Sequence, residues 1–144
     1  MQTLTDAELL AWMRGHTLAV VATLGPAGEP QAALVGVGVT DAFQIVFDTV
    51  VTSRKHANLA ADPRASVTFS GPAEQTLQWQ GLAHPVSTTS DADAPWREVY
   101  YRAWPECRAH LAWPTLAYWR LDPLWLRFSD YDRGPLIFER AFGG

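Results

Sequence analysis

The sequence predicts a mainly β protein whose antiparallel strands curl into a closed or partly closed barrel. Three observations lead there. At least six short runs rich in β-branched and aromatic residues are separated by Gly-, Pro- or Asp-containing turns. Only two or three segments carry helical signals. The chain has 144 residues and is 48% hydrophobic, which suits one domain with a full core.

The elements follow in order. Thr5-Asp6-Ala7-Glu8 has the form of a capping box, opening a helix with Leu9, Leu10, Trp12 and Met13 on its apolar stripe and an end near Gly15. Thr17 to Leu24 reads as a strand, Gly25 to Pro30 as a turn, and Gln31 to Val39 as a second strand. Gly36 and Gly38 in that strand suggest a bulge, a bend or the close approach of something flat. Phe43 to Phe47 is the third arm of what looks like a meander, followed by a short linker from Asp48 to Thr52. Ser53 is placed to cap a helix to about Ala61, which Pro63 stops. Ala65 to Phe69 is the next strand. Gln75 to Val86 is a long one, bent at Gly81, with Leu77, Trp79 and Gly81 on one face. Ser87 to Ala94 reads as loop, Pro95 to Trp104 as helix, and Glu106 to Pro114 as a short helical turn. Leu116 to Leu121 and Trp125 to Ser129 read as a final hairpin through Asp122-Pro123, with an irregular tail from Tyr131.

One turn conflicts with helix electrostatics. Arg54, Lys55 and His56 occupy the first turn after Ser53, where the dipole is positive and backbone N–H groups lack partners. A bound anion resolves the conflict, because free N–H groups, a hydroxyl and two cations make a phosphate site. The alternative is a solvated basic turn neutralised by Asp48 or Asp62. Lys55 is the only lysine in the chain.

Composition narrows the partners. The net charge of −4 and the scatter of the other basic residues argue against nucleic acid. No apolar run is long enough to span a bilayer as a helix, and no basic region with an apolar core opens the chain, so a cytoplasmic location is expected. Cys107 is the single cysteine, and His16, His56, His84 and His110 show no metal-binding spacing, so no metal site is expected. The tryptophans of the C-terminal half read as core and dimer packing or as a flat ligand pocket. Tyr100, Tyr101 and Arg102 read as substrate-site lining or as ordinary packing.

The stretch Ile45 to Phe69 resembles the pyridoxamine 5′-phosphate oxidase-like, FMN-binding split-barrel family. Phe47, Thr49, Ser53-Arg54-Lys55, Asn58-Leu59 and Asp62-Pro63-Arg64 match the family's pattern, and Gly28-Glu29-Pro30 fits its turn before the second strand. The resemblance covers roughly Thr17 to Val86. It implies a six-stranded antiparallel split β-barrel of Greek-key type, forming a homodimer with FMN sites between the subunits. By the same resemblance, Ser53, Arg54 and Lys55 would hold the FMN phosphate. Thr49 and its neighbour Asp48 would lie near the ribityl chain or flavin ring. The strand Gln31 to Val35, with Ala33, Leu34 and Val35 as site residues, would present backbone to the isoalloxazine. Ala33 and Gly38 stand where the pyridoxamine phosphate oxidases carry an Arg and a Lys, so the chain resembles the short, functionally diverse members. The implied activity is an FMN-dependent oxidoreductase of a small molecule. The alternatives are a non-catalytic flavin- or haem-binding protein and a deazaflavin-dependent reductase.

Overall fold

The computed structural model describes residues 4–143. Helix α1 (Asp6–Arg14) begins as expected: the Glu8 N–H donates to the Thr5 hydroxyl, and the Thr5 N–H donates to the Glu8 carboxylate. Its stripe buries Leu9, Leu10 and Met13. The strands are β1 (Leu18–Leu24), β2 (Pro30–Gly36), β3 (Gly38–Val39), β4 (Ile45–Val50), β5 (Arg64–Ser70), β6 (Gln75–Val86), β7 (Leu116–Asp130) and β8 (Leu136–Ala141). Helix α2 (Arg54–Ala61) joins β4 to β5. Helix α3 (Ala94–Ala103) and a 3-10 helix (Pro105–Ala112) join β6 to β7.

All pairings are antiparallel, in the order β2-β1-β5-β6-β7-β4-β3, with β8 added to β7. The two ends of this order, β2 and β3, are consecutive in the chain and meet at Val37. The sheet therefore curls back on itself along one bent strand. With β2 and β3 taken as that strand, six strands (β1, β2–β3, β4, β5, β6, β7) make the split barrel, and β8 is an addition. Trp79, Phe47, Phe69, Leu77, Leu121 and Leu126 fill its interior.

Several sequence expectations need correction. The meander itself holds, since β1 pairs with β2 and its continuation β3 pairs through two residues with β4, but β7 runs along the whole other edge of β4. That strand also begins later and runs through the expected linker, because Asp48 and Thr49 pair with Tyr118 and Ala117. Phe43 sits in the preceding turn at φ 63°, and its carbonyl accepts from Trp79 Nε1 at 3.0 Å. The final hairpin is instead one 15-residue strand, β7. Its Asp122-Pro123 does not turn the chain, because Gly81 opposes Pro123 where the ladder shifts register. A proline lacks a ladder donor, and a bulge absorbs the loss. A Cβ on Gly81 would lie 2.0 Å from the Asp122 carbonyl oxygen, so only glycine admits this passage. The tail is not irregular throughout: β8 pairs along the outer half of β7.

Gly36 and Gly38 do permit a close approach, but the chain makes that approach itself. A Cβ on Gly36 would lie 2.5 Å from the Trp104 ring, and one on Gly38 2.6 Å from the Val99 carbonyl oxygen in α3. Tyr100 and Tyr101 are buried at 3% exposure each, which makes them core residues.

Candidate functional site

Helix α2 starts at Ser53, whose hydroxyl accepts from the His56 N–H at 3.2 Å and lies 2.9 Å from the Thr49 hydroxyl. The first turn contains no acidic residue. Neither Asp62 nor Asp48 is free to neutralise it. Asp62 is gripped by Arg64 at 2.7 Å, which holds its carboxyl well below the usual range, at about 2. Asp48 accepts from the Tyr100 hydroxyl at 2.9 Å and lies 2.7 Å from His110 Nδ1. Among the described residues, Arg54 and Lys55 make no ion pair, and their backbone N–H groups have no acceptor. The His56 ring turns away from them, and its Nδ1 accepts from Trp119 Nε1 at 3.1 Å.

The two free cations open onto a cavity of about 460 Å³, lined also by Val21, Thr23, Gln31, Ala32 and Ala33. This volume falls within the usual range for small-molecule sites. The wall opposite α2 is β2 and the adjoining part of β1. Buried Asn58 fixes the helix to both, because its Nδ2 donates to Thr23 Oγ1 at 3.0 Å and to Gln31 Oε1 at 2.8 Å. The cavity thus combines positive charge and unpartnered donors at one end with a wall of small side chains.

Of the residues read from sequence, Arg54, Lys55 and Ala33 line this cavity. Ser53 caps the helix beside it and Thr49 is bonded to Ser53. Leu34 points outward at 63% exposure, whereas Val35 is buried in the core. Asp48 belongs to a separate cluster with Tyr100, Cys107 and His110. Burial, the adjacent Cys107 thiol and the Asp48 carboxylate push the Tyr100 hydroxyl far above the ordinary tyrosine range. Gln31, at the start of the strand expected to face the flavin, also lines the cavity, whereas sequence reasoning missed Thr23. The signal was Asn58, a polar residue on the helix face shared with Leu59, which needs buried partners across the sheet.

Known proteins share the fold and the family pattern of this chain. The model of the family described as pyridoxamine 5′-phosphate oxidase matches residues 5–130. A pyridoxine/pyridoxamine 5′-phosphate oxidase of Anaeromyxobacter dehalogenans is 36% identical over 100 residues, 69% of this chain and 48% of that protein. The chain therefore spans about half the length of that relative. A haem-binding protein of Mycobacterium smegmatis has the same fold, with a TM-score of 0.80 at 21% identity over 98% of this chain and 60% of that one. A pyridoxamine 5′-phosphate oxidase-related, FMN-binding protein of Nostoc punctiforme superposes with a TM-score of 0.66 at 15% identity, covering 96% of this chain and 93% of the other. The family match extends from the α1 cap to the last residue of β7, and the chain belongs to the pyridoxamine 5′-phosphate oxidase family.

Proposed function

We propose that this protein binds FMN and acts as an FMN-dependent oxidoreductase on a small molecule. The carrying observation is the pair of unneutralised cations, Arg54 and Lys55, at the mouth of the α2 cavity. They and the free N–H groups of the first turn would hold the FMN phosphate. The strand wall at Gln31, Ala32 and Ala33 would flank the rest of the cofactor, with Asn58 keeping helix and wall in register. Bound FMN would supply hydride or electron transfer, and the protein supplies its position and surroundings. Haem is disfavoured on this chain's own residues, since the cavity lining contains no His, Cys, Met or Tyr to ligate iron.

The substrate on this reading lacks a phosphate. Ala33 brings no further cation to the cavity, and Gly38 is covered by α3. The working unit is a homodimer. Leu18, Val20 and Leu34 lie outward on β1 and β2 at 53%, 37% and 63% exposure, with Val20 directly opposite Leu34. This apolar face shares β2 with the cavity wall, so a second copy seated on it would adjoin the cofactor.

The test is the absorption spectrum and mass of whatever co-purifies with the full chain, followed by titration of stripped protein with FMN, riboflavin and haem. A flavin spectrum with FMN bound more tightly than riboflavin supports the reading. A deazaflavin or haem spectrum, or equal affinity for FMN and riboflavin, overturns it. Turnover of the bound flavin by NADH or NADPH with an acceptor separates enzyme from carrier.

A further inference from the structure

We propose that Asp48, Cys107 and His110 form a binding site for a divalent transition metal of the zinc class. One carboxylate oxygen, the Cys107 sulfur and one His110 ring nitrogen lie within 4.8 Å of one another. The convergence has a local cause. Cys107 and His110 are three residues apart in the 3-10 helix Pro105–Ala112, and three residues complete one 3-10 turn, so both side chains leave the same side. That side faces Asp48 on β4, 59 residues earlier in the chain, which no sequence spacing reveals.

The donor set fits a borderline ion. Thiolate, imidazole and carboxylate together suit zinc or cobalt, whereas magnesium and calcium take oxygen ligands. Bonds of about 2.0–2.3 Å set two ligand atoms on one ion roughly 3.3–3.8 Å apart. The Asp48–His110 contact of 2.7 Å must open slightly, and the sulfur must close by side-chain rotation at most. The surroundings already hold the ligands in place. The Tyr100 hydroxyl donates to Asp48 Oδ1, and the Trp113 ring stacks on His110 at 3.9 Å. The Asp48 and His110 side chains retain 12% and 25% exposure, so an ion can enter from solvent. Three protein ligands leave the fourth position of a tetrahedron for water. Binding releases the Cys107 proton to solvent, so affinity rises with pH. The inference does not depend on the flavin reading.

The test uses untagged full-length chain, stripped with a chelator, dialysed and titrated with cobalt(II) and then zinc(II). The expected result is one ion per chain, a near-ultraviolet thiolate-to-cobalt charge-transfer band, and loss of that band when zinc displaces cobalt. Cys107→Ser should lack the band. Tyr100→Phe should keep it while binding about tenfold more weakly. His110 lies nearer the surface, so His110→Gln should keep the wild-type circular dichroism. It should lose at least about a hundredfold in zinc affinity, because a direct ligand outweighs an outer partner. A spectrum of hydrated cobalt throughout, a band unchanged in Cys107→Ser, or full zinc affinity in folded His110→Gln would each overturn the proposal.

Discussion

Asn58 of α2 donates to the Gln31 side chain of β2 at 2.8 Å, and this contact sets the width of the cavity beneath Arg54 and Lys55. The same nitrogen holds Thr23, which is 4% exposed. Asn58→Ala removes both bonds and leaves a buried hydroxyl short of a partner. The expected loss of stability is about 2–3 kcal/mol. Denaturant unfolding measures it, and a loss of a few tenths would mean that the helix is held by Leu59 alone.

Replacing Arg54 and Lys55 together with Ala should lower FMN affinity by about two to four decades, from roughly 3–6 kcal/mol of charge-assisted contacts if these add. Riboflavin affinity should change much less. The apo variant should melt no lower than apo wild type, since neither side chain has an ion-pair partner among the described residues and both oppose the helix dipole. Isothermal titration with both ligands and a melting scan decide the matter. Equal losses for the two flavins would assign the pair a structural role.

Leu34→Arg should turn a dimer into a monomer in sedimentation velocity at micromolar concentration. The side chain is 63% exposed, so the fold itself should tolerate the change. A wild type that sediments as a monomer would remove the premise.

Tyr100 and Tyr118 should stay protonated in the folded state well above pH 10. Burial leads in both cases, followed by the Cys107 contact for Tyr100 and the Tyr101 hydroxyl for Tyr118. The unfolded chain releases these protons near pH 10, so above that pH it binds fewer protons than the native state. Stability should therefore hold below pH 10 and fall as pH rises beyond it. Spectrophotometric titration of wild type beside Tyr100→Phe and Tyr118→Phe should show these two phenols ionising only with unfolding. Four phenolates forming reversibly in folded protein would contradict this.

Gly38→Ala should cost about 1–3 kcal/mol, because the new methyl meets the α3 backbone at Val99 and Tyr100. Gly36→Ala should cost less, since the Trp104 ring it strikes belongs to a side chain that can rotate. Paired melting curves test the order, and the reverse order would mean that α3 yields more easily than Trp104.

What was legible in the sequence had local causes. The Thr5–Glu8 capping box, the Ser53 cap and the alternation of β6 are each written within a few residues, and each formed. The basic turn was legible because it violates the helix dipole, and the distant commitments of Asp48 and Asp62 sharpen that violation. What failed depended on partners. Asp122-Pro123 resembles a turn until Gly81 on β6 is seen to accommodate it. Gly36 and Gly38 suggest space for a flat ligand until Trp104 and α3 take that space. The Asp48–His110 contact joins segments 62 residues apart, so nothing in either segment announces the other.

The bend at Val37 gives the barrel a seam. One margin is tied by seven residue pairs between β1 and β2, the other by only two between β3 and β4, and a single residue links them. A nick in the Gly25–Gly28 turn would leave both margins in place, held by their ladders. A nick at Val37 would divide the strand that closes the ring, and the short margin would have little to hold it. Circular permutants opened at these two points should therefore behave as different molecules, the first a relabelled barrel and the second an open sheet.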